Sequence, residues 1–312
     1  MRPRIAGVVI GLMPWILYAQ VTIEQRPKPP AKQDTLPSAN IRVETNLVLV
    51  PVTVNDPLNR PVSGLDKENF RVFEDKVEQK ISQFAMDDEP VAVGLVFDTS
   101  GSMGDKLHRS RMAAREFFRT ANPEDEFFLV EFDDKPRLEV SLTQDTGQIE
   151  NQLVFSRSHG STALLDAIYM ALHEMKKSKK NKKALLVISD GGDNNSRYTV
   201  TEVRRLVVES DVLIYAIGVF GGGSTPEEAG GPSLLSHIAE QTGGRLFPAN
   251  PADLPDTAKR IGIELRNRYV IGYSPANQAR DGKYRHIQVV LVPPRGLPKL
   301  QAHWRTGYNA PE

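Results

Sequence analysis

The sequence predicts an α/β fold: a doubly wound, mainly parallel sheet with one antiparallel edge strand, inserted in a small antiparallel β-sandwich-like module. Three observations carry that expectation. Residues 91–97, 127–132, 185–189 and 212–218 are short, nearly continuous apolar runs, as in strands covered on both faces. Between them lie stretches whose apolar residues recur at helical spacing. The segments on either side of this alternation read only as strands.

Taken in order, the chain begins with Arg2 and Arg4 ahead of an apolar stretch over residues 5–19, followed by a polar, proline-rich segment. That order reads residues 1–19 as a secretory signal peptide and 20–40 as an extended linker. The rival is an uncleaved anchor, although the apolar stretch falls short of the roughly 20 residues a spanning helix needs. Residues 41–90 read as the N-terminal part of a β module, with strands at 47–54, 69–73 and 77–84 separated by turn clusters at Asn55-Asp56-Pro57 and Pro61-Val62-Ser63-Gly64.

From 91 to 268 strands alternate with helices. Leu107, Ala114, Phe117, Phe118 and Ala121 share one helical face, as do Leu164, Leu165, Ile168, Leu172 and Met175, and then Val203, Leu206 and Val207. Strand, helix, strand at this spacing implies a parallel sheet with right-handed crossovers. Residues 137–142 alternate and follow the previous strand closely, which places them antiparallel at an edge. Further helices are expected at 232–242 and 253–268. Residues 269–312 return to strands at 269–274, 284–292 and 300–305, with Ile287, Val289 and Leu291 alternating. Neither flank has strands enough to close a core, so the two are expected to pair with each other.

Composition excludes several functions. The 312 residues are 40% hydrophobic and 25% charged, within the range of ordinary globular proteins. Thirty-nine basic residues balance 39 acidic ones, so no overall basic field draws nucleic acid. The absence of cysteine removes thiol catalysis, cysteine zinc sites and disulfides together. Six scattered histidines lack the spacing of zinc ligands.

The stretch with the most chemistry is Asp98-Thr99-Ser100-Gly101-Ser102, placed where a buried strand ends and a helix begins. Open α/β sheets bind ligands at this edge. Alternate residues of an extended loop point the same way, so Asp98, Ser100 and Ser102 converge. Thr162, just ahead of a helix, and Asp190, just past a buried strand, are expected at the same edge. All five offer oxygen, which suits a hard cation. Magnesium wants six oxygens at roughly 2.0 to 2.1 Å and keeps several waters; manganese fits nearly as well and calcium stays open.

These five residues, in this order and strand context, resemble the metal-ion-dependent adhesion site of von Willebrand factor A and integrin I domains, and the resemblance covers about residues 91–268. Residues 234–244 look like that family's penultimate helix and its closing glycine turn. Phe70-Arg71-Val72-Phe73-Glu74-Asp75, residues 269–275 and Gly307-Tyr308 are similar to a bacterial von Willebrand-factor-A-related family of acidobacterial type, although Lys76 stands at a turn position where those proteins often have glycine. The resemblance implies that the serines and, in a binding-competent state, the threonine contact the metal directly, while the aspartates act largely through water. It implies a non-enzymatic exported protein, periplasmic, cell-envelope or secreted, in which an Asp or Glu carboxylate of a protein ligand completes the metal's coordination. It also implies a last helix, here 253–268, able to move with ligand.

Blander readings stand beside these. Asp98, Ser100 and Ser102 could only cap a helix, and Asp166 could be an ordinary first-turn acid. The lysine run at 176–183 reads as the solvated end of a helix. The glycines at 221–223 and at Gly230 and Gly231 read as a flexible loop without the lysine of a phosphate-binding loop. A structural scaffold whose metal never exchanges ligand is the alternative function. A metal-dependent phosphoryl-transfer hydrolase is the third, weakened because Ser100 stands where such an enzyme carries a second carboxylate.

Overall fold

A computed structural model describes residues 47–87, 89–220 and 226–311. The expected signal peptide, the linker and the glycines at 221–223 lie outside the described residues. Among the described residues no helix is long and apolar enough to cross a membrane.

Two antiparallel sheets form from the chain's flanking segments. The N-terminal flank supplies β1 (Val48–Asn55), β2 (Phe70–Glu74), β3 (Val77–Gln79) and β4 (Ile81–Asp87). The C-terminal flank supplies β11 (Arg268–Tyr273), β12 (Tyr284–Leu291), β13 (Gln301–Trp304) and β14 (Gly307–Asn309). One sheet runs β13-β1-β11-β4 and the other β14-β12-β2-β3, so each draws on both ends of the chain. Alternation sets the register: Val50 lies opposite Ile271 and Val52 opposite Tyr269, and these side chains meet Phe70, Val72, Ile287 and Val289 of the second sheet in a shared core.

The expected single strand at 77–84 is two. β3 pairs with β2 while β4 pairs with β11, and the chain changes sheets at Lys80. The β2–β3 turn holds Asp75 at φ 46° and Lys76 at φ 70°. Lys76 thus occupies a left-handed position that glycine fills without a β-carbon clash.

Between the flanks stands a six-stranded sheet in the order β10-β9-β8-β5-β6-β7. Its members are β5 (Val91–Asp98), β6 (Glu126–Phe132), β7 (Pro136–Thr143), β8 (Lys182–Ser189), β9 (Leu213–Val219) and β10 (Leu246–Ala249). β7 alone runs antiparallel, at the edge where its alternation put it. Every residue of β5 is buried, because side chains leave both faces into separate cores. Val93, Leu95 and Phe97 pack with α1 (Leu107–Phe118), α2 (Thr146–Phe155) and α6 (Leu254–Arg266). Ala92 and Val96 pack with α3 (Leu164–Met175), α4 (Val200–Ser210) and α5 (Pro226–Gln241).

Helix α2 was not expected, because Ile149 and Leu153 are its only buried residues. Gly230 and Gly231, read as loop, lie inside α5. The lysine run is solvated only in part: α3 ends at Met175, and Lys182 opens β8 as a buried residue.

The N-terminal edge of the central sheet meets the β module through paired charges. Asp87 accepts from Arg268 at 2.7 Å and lies 3.1 Å from the Lys182 ammonium. Asp125 accepts from the Val91 and Asn122 amides and from Arg266. Glu264 of α6 accepts from Arg245 at 2.5 Å and from Asn55 of β1 at 3.3 Å. Only Asn267 separates α6 from β11.

Candidate functional site

The opposite, C-terminal edge of the sheet is where β5, β6 and β8 release the chain into loops, and backbone hydrogen bonds stitch those loops together. The Thr99 amide donates to the Phe132 carbonyl at 2.8 Å, His159 N to Thr99 O at 2.9 Å, and Gly101 N to Gly160 O at 3.1 Å. Ala163 N donates to Asp133 O at 2.9 Å, and the Asn194 and Asn195 amides both reach the Thr162 carbonyl, at 3.0 and 3.1 Å. The structure therefore brings the Asp98, Thr162 and Asp190 loops to one edge.

Asp98 ends β5 with no exposed surface. Its Oδ1 accepts from the Ser100 amide at 2.9 Å and its Oδ2 from the Ser189 hydroxyl at 2.5 Å. Burial pushes its carboxyl up to about 7 against the pull of the Ser100 and Ser189 hydrogen bonds, and the nearby Asp190 charge pushes the same way. The Ser100 and Ser102 hydroxyls lie 3.1 Å apart, Ser100 buried and Ser102 exposed.

Asp190 follows β8, almost fully buried, and accepts from the Gly192 amide at 3.3 Å and from the Lys106 ammonium at 3.0 Å. Thr162 is buried, and a β-carbon built on Gly192 would stand 3.6 Å from Asp190 Oδ1 and 4.0 Å from Thr162 Oγ1. Both oxygens thus border the same small space. Gly191 takes φ 81°, and a β-carbon on Gly231 would lie 2.3 Å from the Asp190 carbonyl. Two glycines let α5 press its backbone onto the Asp190 turn.

The donor set fits a hard divalent cation. It holds two buried carboxylates, three hydroxyls and one ammonium, with no arginine on either carboxylate among the described residues. Neighbouring oxygens around a cation with ligands at roughly 2.0 to 2.1 Å stand about 2.9 Å apart in an octahedron, close to the observed 3.1 Å between Ser100 and Ser102. A purely capping role does not describe these residues: neither the short 3-10 turn at Gly101–Lys106 nor α1 has a side-chain cap, and the N-cap of α3 is Ala163.

Several residues at this edge escape a sequence reading. Ser189 orients Asp98, and Lys106 supplies positive charge to Asp190. Asp133, in the loop after β6, takes two bonds from Arg137, at 2.8 and 2.7 Å. Burial pushes the Asp133 carboxyl up, but those Arg137 bonds outweigh it and hold it below the usual range. Its charge is already matched, which separates it from Asp98 and Asp190. Asp166 is more than a first-turn acid: it is buried and accepts from the Arg197 and Tyr198 amides at 2.8 and 3.0 Å, fixing the loop after Asp190. The Asp-Asp pair directly after the buried β6 was the available signal for Asp133.

Comparison with known proteins agrees with this architecture. Residues 93–192 match the von Willebrand factor type A domain family. An uncharacterized protein of Borreliella burgdorferi is 27% identical over 185 residues, 50% of this chain and 53% of that protein, so the match spans about half the length of that relative. Among solved structures, a von Willebrand factor type A protein from Catenulispora acidiphila superimposes with a TM-score of 0.50 at 14% identity, covering 85% of this chain and 74% of that one. Proximal thread matrix protein 1 of the mussel byssus gives a TM-score of 0.50 at 17% identity, over 62% of this chain and 51% of its own. At such identities the two structures speak for the fold alone. The matched span contains every residue of the strand-end cluster, from Asp98 to Asp190, so it is over the cluster that the chain is similar to von Willebrand factor type A domains.

Proposed function

We propose that this is a non-enzymatic, exported binding protein that captures an acidic group of a protein ligand through a divalent cation at a metal-ion-dependent adhesion site. Asp98, Ser100, Ser102, Thr162 and Asp190 hold the cation, magnesium by preference of the donor set. The observation that carries the reading is the pair of buried carboxylates, Asp98 and Asp190, bordered by three hydroxyls and countered, among the described residues, by Lys106 alone. Buried carboxylates in a folded protein are ordinarily paired with cations or metals, and the Asp87 and Asp133 carboxylates of this chain follow that rule with arginine.

Each residue has a defined part. Ser100 and Ser102 present neighbouring neutral oxygens, and Ser189 fixes the orientation of Asp98. The stitched backbone holds Thr162 opposite Asp190. A cation whose contacts are mostly hydroxyl and water keeps uncancelled charge for an incoming carboxylate. Export rests on Arg2, Arg4 and the apolar residues 5–19.

The test is direct. Mn2+ binding followed by electron paramagnetic resonance, and Mg2+ binding by calorimetry, are expected to show one site lost in Asp98→Ala. A glutamate-bearing peptide is expected to bind with Mg2+ and to be released by chelator. Peptide binding indifferent to chelation and to Asp98→Ala would overturn the reading, and turnover of a generic phosphate ester lost in Asp98→Ala would replace it with hydrolysis.

A further inference from the structure

Among the described residues the most exposed large apolar side chain is not on a sheet edge but lies in the chain just before the loop that meets the oxygen cluster. Phe155 is 76% exposed and its neighbour Val154 59%, at the C-terminus of α2, and Met112 of α1, 39% exposed, lines the same groove as Val154. Scattered apolar residues on a surface need no explanation, but Met112 and Val154 line one groove of about 250 Å³ between α1 and α2, and Phe155 follows Val154 directly in the chain. Its walls include Arg111, Met112, Arg115, Glu150, Leu153 and Val154.

The groove and the oxygen cluster share a wall. Directly after Phe155 the chain runs through residues 156–160, where the Ser158 hydroxyl donates to the Ser100 carbonyl and His159 N to Thr99 O at 2.9 Å. Arg111 donates to the Ser156 carbonyl from the α1 side, and its buried Nε has no hydrogen-bond partner. Phe155 is three residues from Ser158, at most about 11 Å of extended chain. The charge of the groove is lopsided: Arg111 and Arg115 stand against Glu150, which Arg115 already engages at 3.0 Å.

We propose that this α1–α2 groove is a second contact for the same protein ligand: an extended segment whose carboxylate meets the cation also seats an apolar side chain, about four residues away, against Met112 and Val154, with the exposed Phe155 next to Val154 in the chain. This rests on the metal-site reading above. The cationic wall favours an acidic segment, and the shared wall at 156–160 lets one segment reach both places. The ligand is then an acidic peptide segment with a large apolar residue, not an acidic group of any kind.

The probes are two sets of ten-residue peptides in a serine background, one carrying glutamate and phenylalanine four residues apart in either order, the other carrying glutamate and alanine. With saturating Mg2+, a phenylalanine peptide is expected to bind about tenfold more tightly than its alanine counterpart, the scale of burying part of an aromatic ring. It is also expected to move the methyl resonance of Met112, assigned through Met112→Leu. The double substitution Val154→Ser and Phe155→Ser, at exposed positions that leave the core intact, removes that tenfold and leaves the alanine peptide unchanged. Equal affinities for the two sets, or a still Met112 resonance, overturns the groove. So does a Met112 resonance that shifts on deletion of residues 1–40 and ignores peptide, which assigns the groove to the chain's own N-terminal segment. Mn2+ resonance reads the metal site separately: if no Mn2+ binds, the metal reading fails, and the Met112 response to the phenylalanine peptides still decides the groove.

Discussion

The two edges of the central sheet bury charge in opposite ways. At the N-terminal edge each buried carboxylate has an arginine: Asp87 has Arg268 and Lys182, Asp125 has Arg266, and Glu264 has Arg245. At the C-terminal edge Asp133 and Asp166 likewise have Arg137 and Arg197, but among the described residues Asp98 has only hydrogen bonds from Ser100 and Ser189, and Asp190 has one lysine. The first edge has its charges paired and joins the two halves of the fold. The second is short of positive charge. Under the proposed function, this unequal pairing at equal burial marks Asp98 and Asp190 as the carboxylates placed for a ligand.

The largest effect is expected from breaking the complete edge. Asp87→Ala leaves Arg268 and Lys182 buried side by side without their carboxylate, and removing one partner of a buried charge cluster costs about 3 to 5 kcal/mol. Urea unfolding measures it. Asp98→Asn at the other edge, compared without divalent cation, is expected to cost less than about 1 kcal/mol, because it removes a charge that has no ionic partner. Equal losses in the two variants would erase the distinction between the edges.

The next effect follows pH. Burial, with Arg268 nearby, pulls the Lys182 ammonium down to about 8 in spite of Asp87. The unfolded chain holds this proton up to about 10.5, so the folded state binds fewer protons between the two values. Stability therefore rises with pH across the window from about 8 to about 10.5 and is lowest below it, by about 3 kcal/mol for a shift of this size. Lys182→Met is expected to flatten that rise in urea titrations at successive pH values, while leaving the Asp87–Arg268 pair in place. A rise that persists in Lys182→Met would assign it to another group.

These contrasts also explain what the sequence could and could not reveal. Asp98, Ser100 and Ser102 are legible because they are adjacent in the chain and sit at a strand-to-helix transition that periodicity locates. Thr162 and Asp190 are legible through the ends of the elements they adjoin. Ser189 and Lys106 are not, since a serine in a buried strand and a lysine in a turn acquire their partners only through tertiary contact. Lys182 shows the same limit: inside a lysine run it reads as solvated, yet it is the residue at which β8 begins, and the pairing of β8 with β5 carries it inward to Asp87. The two-core sheet was legible because both its faces are buried, whereas α2 has only two inward residues and leaves Val154 and Phe155 outside.

A smaller effect completes the incomplete edge. Mg2+ at a hundredfold excess over its dissociation constant is expected to stabilise the protein by about 2.7 kcal/mol, the linkage value for a ligand that binds only the folded state. The same addition is expected to leave Asp98→Asn unmoved, while Asp87→Ala keeps whatever gain its remaining stability allows to be measured. Thermal melts with and without Mg2+ read this, and a gain that survives Asp98→Asn would put the cation elsewhere.

The smallest effect concerns Lys106, the cation bonded to Asp190. The Lys106 ammonium donates to Asp190 at 3.0 Å from a side chain only 13% exposed, and that carboxylate is one the proposed metal site needs. If Lys106 stands in for the metal, it competes with it, by repulsion and by holding the same oxygen. Lys106→Met is then expected to weaken the metal-free fold by about 1 kcal/mol, the upper scale of a partly exposed pair, and to tighten Mg2+ binding by about fivefold, the same energy expressed as affinity. Calorimetric titration separates this from a second role. If Lys106→Met loosens Mg2+ binding, the lysine serves to hold the Asp190 turn in the shape the cation requires, and the shortage of charge at this edge is larger than the pairing with Lys106 suggests.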